Sequence, residues 1–383
     1  MHSGIYTAEA VMPGHPDKLC DTIADSILDA VKRRDPSARL GVEAAAKGRD
    51  VWVFGEITAA AGTLEAIDIP RIARRVYEDA GYAADWGLAP GELRVRVDVS
   101  EQSAELANNV RSGSAGDQGS AVGYAIACPW ANYLPPEYFL ANSLVRALSD
   151  ARRLGRIPCL GPDGKSQVTL RCKDHGELAP LIIVLSAQHR PGSLGTLRAG
   201  LRGIAEEVLA DVERLGGPPC SIHRCEVLIN PAGSFVAGGP IADAGLTGRK
   251  TVADSYGPRV PAGGGSFSGK DGTKINRSGA YAARHAAKSI VVSELARECM
   301  VRLDYAIGRV QPLNASVWLD GLQVTSDEAR ELLSGFDFSP GGITERLELN
   351  SISHARQAAF GHFVFQDLPW EKPVRIPAGQ ATG

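Results

Sequence analysis

The chain has 383 residues, 44% apolar and 22% charged, with a formal net charge of −3, which is an ordinary globular composition with room for two or three domains. Charge so near balance excludes the global basic field that holds nucleic acid. Seven cysteines, an odd number with no Cys-x-x-Cys, argue against a disulfide framework or a zinc ribbon and fit a reducing cytoplasm.

Past Gly14, the run His15-Pro-Asp-Lys18 opens a helix that continues to about Arg34. Leu19, Ile23, Ile27 and Val31 recur on one face, and Asp21, Asp25 and Asp29 mark another. Pro16 suits the first turn, which places His15 and Asp17 at the helix mouth, where a histidine and a carboxylate can serve a phosphate leaving group and its metal. The runs 40–46 and 51–58 flank Lys47-Gly-Arg-Asp50 as a hairpin and put Glu43 and Glu56 on strands. Asp68-Ile-Pro70 starts a second helix, which Gly81 ends.

The order of helix, hairpin and helix returns in the centre. A helix is expected over 136–154, strands over 167–171 and 181–186 joined through Asp174-His-Gly176, and a long helix over 194–214. Lys165 is expected in a turn after Pro162-Asp-Gly164. The order returns again as a helix over 280–295, strands over 300–307 and 315–319, and a helix over 326–333. We infer three α+β units, with approximate bounds 1–105, 116–230 and 231–372. Between them, the stretch from Ser100 to Gly119 has the glycine and serine content of a lid. Cys220-Ser-Ile-His223-Arg-Cys225 reads as a linker with incidental thiols. The N-terminus shows no charged, apolar leader, and no run is long enough to span a membrane.

Two glycine-rich, basic stretches stand out. Gly263-Gly-Gly-Ser-Phe-Ser-Gly-Lys-Asp-Gly-Thr-Lys-Ile-Asn-Arg-Ser278 lets backbone N–H groups approach an anion, with Lys270, Lys274 and Arg277 as cationic donors. It nearly completes a P-loop, but Asp271 stands where that motif needs a hydroxyl. Upstream, glycines bracket Asp243, and Arg249 and Lys250 follow. Together they favour a polyphosphate cradle, and Asp17, Glu43, Glu56, Asp117 and Asp243 are oxygen ligands of the kind that hard cations need. Phe235 is either a platform for a purine or a loop-packing ring.

At these residues the sequence resembles the S-adenosylmethionine synthetases, also called methionine adenosyltransferases, along nearly its whole length. The matching stretches include Gly14-His-Pro-Asp-Lys18, Gly55-Glu-Ile-Thr58, Gly116-Asp-Gln-Gly119 and Asp163-Gly-Lys-Ser-Gln-Val-Thr169. Gly238-Gly-Pro240, Gly245-Leu-Thr-Gly-Arg-Lys250, Gly263 to Asp271, Tyr305-Ala-Ile-Gly308, Gly361-His-Phe363 and Pro369-Trp-Glu-Lys372 match as well. The resemblance implies an α+β fold of three similar domains about a pseudo-threefold axis. It also implies a homodimer with active sites between subunits, often paired into a homotetramer.

It further implies adenosyl transfer from ATP to methionine or a close thioether analogue, with Mg2+ and K+ as cofactors. By this resemblance His15 meets the triphosphate near the breaking C5′–O bond, and Lys165, Arg249, Lys250 and Lys270 grip its oxygens. Asp117 and Asp163 join the ATP site and Phe235 stacks on adenine. Glu56, Gln102, Asp243, Lys274 and Ile307 surround methionine, Asp17 holds magnesium and Glu43 a potassium site.

The chain departs from the family pattern at several points. Asn276 replaces an aspartate that binds magnesium, which weakens that position. Asn142, Cys159, Gly161, the loop Gln102-Ser-Ala-Glu-Leu106, Ser120-Ala-Val122 and Pro261-Ala262 also differ. These changes raise two alternatives: a hydrolase of nucleotide triphosphates that needs no methionine, and a catalytically weak, nucleotide-binding regulatory subunit.

Overall fold

The structure is a computed structural model in which residues 3–101, 113–173 and 178–377 are described. Twelve strands are assigned among them: β1 (Gly4–Val11), β2 (Arg39–Lys47), β3 (Asp50–Thr58), β4 (Arg94–Ser100), β5 (Gly119–Ile126), β6 (Leu160–Cys172), β7 (Leu178–His189), β8 (Glu226–Ile229), β9 (Gly245–Leu246), β10 (Glu298–Tyr305), β11 (Asn314–Leu319) and β12 (Leu322–Gln323). The long helices are α1 (Pro16–Arg34), α2 (Ile69–Ala80), α3 (Pro136–Arg153), α4 (Leu194–Arg214) and α5 (Ile275–Val292).

The strands form three four-stranded sheets, ordered β4-β3-β2-β9, β1-β6-β7-β8 and β12-β11-β10-β5. Helices α1 and α2 share a core with the first sheet, α3 and α4 with the second, and α5 with the third. Three α+β units are therefore present. Each sheet also borrows a strand from elsewhere in the chain: β1 pairs with β6, β5 with β10 and β9 with β2. Among the described residues no helix is long and apolar enough to cross a membrane.

Local signals account for the elements nearest the site. His15 is the N-cap of α1, its Nδ1 accepting the Asp17 N–H at 3.2 Å, and Pro16 takes the first position. Lys32, Arg33 and Arg34 lie in the last turn, where cations oppose the negative end of the helix dipole. Asp68 caps α2 by accepting the Arg71 N–H, and Gly81 ends it with φ 96°.

Three expectations need correction. The Pro162-Asp-Gly164 stretch is not a turn but an irregular part of β6, because Met12 N–H donates to the Gly164 carbonyl and holds the chain extended; Lys165 thus lies on a strand opposite Val11. The last long helix starts at Ile275 rather than Ala280, so Asn276 and Arg277 stand in its first turn. Arg277 does not face the cradle: it is buried and pairs with Asp25. The face of α1 marked by Asp21, Asp25 and Asp29 is itself buried. The expected join at Asp174-His-Gly176 lies outside the described residues.

Two buried networks hold the last unit in place. Arg284 of α5 donates to Glu371 Oε1 and Oε2 at 2.9 and 2.8 Å, and Lys288 reaches Glu371 Oε2 at 2.8 Å. Trp370 stacks on Tyr281 with ring centroids 3.8 Å apart, and its Nε1–H donates to the His362 carbonyl. The Pro369-Trp-Glu-Lys372 stretch is therefore a structural clasp.

Candidate active site

The site begins at the mouth of α1. The acids on the inner face of this helix fix three separate segments. Asp17 accepts the Leu246 N–H at 3.0 Å and Lys250 Nζ at 2.6 Å. Asp21 accepts the Gly248 N–H at 2.9 Å, Asp25 the Gly269 N–H at 2.8 Å, and Asp29 the His354 N–H at 2.8 Å. The first three of these contacts position both glycine-rich stretches.

A first cluster forms around His15. The imidazole is buried, and its pKa falls to about 3, first through burial and then through the Lys165 and Lys250 cations, with Asp17 and Asp243 opposing. It is therefore neutral at physiological pH. Because Nδ1 accepts from Asp17 N–H, the proton resides on Nε2, and the ring is a fixed donor. Arg249 lies 3.5 Å from Asp17 and donates to the Ala244 carbonyl at 3.1 Å. Asp243 is exposed, and its carboxyl is held below the usual range, chiefly by the Ala244 N–H, with help from Arg249, His15 and Lys47.

Asp163 belongs to the same cluster. One oxygen accepts the Gly239 N–H at 2.8 Å, while Oδ1 is buried with no partner. Burial raises its pKa to about 6 against the pull of the Gly239 N–H and Lys165. A buried acceptor left open at the edge of a cradle is suited to a ligand hydroxyl. Phe235 is half-buried beside it: its N–H donates to His189 Nε2 at 3.1 Å and its carbonyl accepts the His189 N–H at 2.8 Å.

A second cluster surrounds Lys270. Its pKa is lowered, first by burial, while Asp117 and Glu43 pull it up and Arg277 and Lys274 push it down. Asp117 Oδ2 accepts from Asn276 Nδ2 at 2.8 Å. The Gly265 backbone presses on the same amide, so that a Cβ there would lie 2.2 Å from Asn276 Cγ. Ile307, 44% exposed, sits on a loop tied to this group by the Gly308 N–H to Ala115 carbonyl bond, while Gly116 N–H donates to the Thr273 carbonyl next to Lys274. Glu43 and Glu56 are exposed on the same face of the first sheet. The two clusters share no hydrogen bond or ion pair among the described residues. Gln102 lies outside those residues.

Asp271, the residue that breaks the P-loop pattern, is a buried strut, accepting the N–H groups of Leu40 and Thr273 at 2.7 and 2.8 Å. Among the described residues no group of three or more histidine, cysteine and acidic side chains is placed to hold a metal ion. Asp17 is a single carboxylate, its Oδ1 engaged by the Leu246 N–H and its Oδ2 by Lys250 Nζ. Cys220 and Cys225 are free thiols.

Sequence reasoning missed several supporting residues. Tyr82 Oη donates to the Gly14 carbonyl at 2.6 Å and fixes the approach to His15. The buried Gln188 accepts the Asp163 N–H at 3.4 Å and donates to the Val236 carbonyl at 3.1 Å, joining Asp163 to the Phe235 loop. Gly161 makes room for it, since a Cβ there would lie 2.8 Å from the Gln188 side chain. Nothing local in the sequence marks Tyr82 or Gln188. The four-residue spacing of Asp17, Asp21, Asp25 and Asp29 was a visible signal that these side chains share one face of the helix.

Comparison with known proteins finds matches along the whole chain. Three family models match in order: the S-adenosylmethionine synthetase N-terminal domain over residues 3–104, the central domain over 112–235 and the C-terminal domain over 237–372. A curated S-adenosylmethionine synthase from Desulforudis audaxviator (strain MP104C) is 40% identical over 403 aligned residues, covering 100% of this chain and 99% of that protein. The sheets, the cradle loops clamped to α1 and the sequence matches lead to one assignment: the chain belongs to the S-adenosylmethionine synthetase family.

Proposed function

We propose that the chain joins ATP and methionine to give S-adenosylmethionine, and then cleaves the released triphosphate to phosphate and pyrophosphate. A thioether sulfur is neutral and needs no base: its lone pair forms the S–C5′ bond while the C5′–O bond breaks and its electrons leave with the triphosphate. Catalysis then rests on alignment and on stabilising the leaving charge. The observation that carries this reading is the neutral, buried His15, a fixed Nε2–H donor flanked by Lys165 and Lys250. A donor that never titrates near neutrality can bond the departing oxygen without first losing a proton to it.

In this reading Lys165, Arg249, Lys250 and Lys270 bind the phosphate oxygens. Asp163, Asp117 and Phe235 hold the nucleoside, and Glu56, Gln102, Asp243, Lys274 and Ile307 hold methionine. Magnesium, when bound at Asp17 with Asn276 as a weaker position, supplies further charge neutralisation, and Glu43 marks the potassium site. A homodimer, in which the His15 cluster of one copy meets the Lys270 cluster of another, accounts for the separation of the two groups. Such dimers pairing into a tetramer, and a cytoplasmic location, complete the proposal.

Incubation of the chain with ATP, Mg2+ and K+, with and without methionine, tests it by mass spectrometry. S-adenosylmethionine with phosphate and pyrophosphate is expected only when methionine is present. Phosphates without a sulfonium would instead favour the hydrolase. For the shared site, K165A and K270A are each expected to be inactive alone and to regain activity when mixed and allowed to exchange subunits. A mixture that stays inactive despite exchange would place the whole site in one copy.

A further inference from the structure

A groove of about 630 Å3 runs between the C-terminal half of α1 and α2. None of its lining residues belongs to the His15 or Lys270 cluster, and Arg33 stands about 27 Å along α1 from His15 at 1.5 Å per residue. Arg33, Arg34, Arg71 and Arg75 line it together with Asp68 and Asp79. Both acids are engaged: Asp79 pairs with Arg75 at 3.0 Å, and Asp68 caps α2 through the Arg71 N–H at 2.9 Å. The guanidiniums of Arg33, Arg34 and Arg71 carry no hydrogen bond or ion pair to any described residue.

The helix dipole explains only part of this. Arg33 and Arg34 lie at the favourable, C-terminal end of α1. Arg71 lies in the first turn of α2, which holds no acid, so the dipole opposes it, and Arg75 repels it from one turn further along. Three unpaired guanidiniums around one groove create a positive potential, and their planar forks match phosphate oxygens. Ala30, Ile67, Ile72 and Val76 supply apolar surface beside them. The volume is in the range of small-molecule sites.

We propose that this groove binds an organic phosphate, a small molecule with one or two phosphate groups on a largely apolar body. The probes are 1-naphthyl phosphate and inorganic phosphate, measured on the full chain by calorimetry and by amide hydrogen exchange. Naphthyl phosphate is expected to protect peptides covering 26–34 and 66–79, and R34A/R71A to weaken that binding by about tenfold or more. Adenosyl transfer should be unchanged in the same variant. R71K, which keeps the charge and loses the fork, should fall between. Protection confined to the peptides around His15 and Lys165, or equal affinity in R34A/R71A, would overturn the site. Equal affinity for inorganic phosphate would overturn the apolar part of the recognition.

Discussion

Asn276→Asp tests the electrostatics of the second cluster. The Asn276 amide donates to Asp117 Oδ2 at 2.8 Å, and the Gly265 backbone leaves the side chain little room to turn away. An aspartate would fit the same shape and set two carboxylates about 3 Å apart. Two unit charges at that distance repel by about 5 kcal/mol at an effective dielectric of about 20, and exposure of the pair to solvent cuts this to about 2 kcal/mol. Loss of a hydrogen bond to a charged acceptor adds about 1.5 kcal/mol. The variant should therefore unfold at a lower urea concentration without magnesium. A divalent cation between the two carboxylates turns their repulsion into a binding site. Millimolar magnesium should therefore close most of the gap while moving the parent chain little, and the magnesium concentration for half-maximal rate should fall. Urea midpoints of both chains, with magnesium and with EDTA, measure this directly. A gap that is the same under both conditions would refute the reasoning.

The remaining predictions use other buried groups. Burial lowers the His285 pKa to about 4 while Nε2 bonds the Lys372 carbonyl at 2.9 Å; stability is lost as pH falls below the ordinary 6.5, and His285→Gln should lose about 2.5 kcal/mol less between pH 7 and pH 4.5. Asp163, raised from 3.8 to about 6 by burial, contributes a penalty that builds between those two pH values and is fully present above the higher one. Asp163→Asn should thus be more stable than the parent at pH 8, by up to about 3 kcal/mol, while its KM for ATP rises; lower stability would show that the charge is satisfied in place. Glu371→Ala strands Arg284 and Lys288 in the interior and should cost about 3–5 kcal/mol, whereas the fully exposed Arg94→Ala should be near neutral by the same denaturation measurement. At the site, His15→Asn keeps a donor and should retain more kcat than His15→Ala, with neither changing the pH profile between pH 6 and pH 9 through this position.

The fold was legible where local rules decide it. Pro16 after a capping His15, the Lys47-Gly-Arg-Asp50 hairpin and the pair Asp68 and Gly81 each specify an element end, and the structure places them there. Local rules failed where distant chain supplies the partner. Pro162-Asp-Gly164 has the composition of a turn, but β1 arrives from the far N-terminus and holds it in a strand. Asn276 and Arg277 look like loop residues after a glycine run, yet the Arg277 contact with Asp25 sets the first turn of α5 inside the core. The exchange of β1, β5 and β9 between sheets has no local signature, since pairing over more than a hundred residues is not encoded in either strand alone. For the candidate site the sequence offered residue types, while which of them the fold gathers around His15 and which around Lys270 was not encoded locally.

The acids of α1 explain how two separate glycine-rich loops come to be held on one helix. Residues four apart on a helix stand about 6 Å apart along its axis, so Asp17, Asp21, Asp25 and Asp29 form a row of evenly spaced acceptors. Taken alone, such a row in a core is unfavourable, because buried carboxylates repel and lose solvent. Here Lys250, Lys18 and Arg277 bring charge to the first three, and backbone N–H groups at 246, 248, 269 and 354 fill the remaining lone pairs. The partners are backbone or cationic groups of the loops that carry Arg249, Lys250 and Lys270, apart from Lys18 on the helix itself, Arg277 in the first turn of α5 and the contact of Asp29 with the C-terminal segment. A loop out of register would leave a buried carboxylate unpaired, which costs more than the correct bond contributes. Specificity for one loop arrangement therefore comes from the cost of the alternatives, and the phosphate-type donors inherit their positions from a helix whose own mouth carries His15.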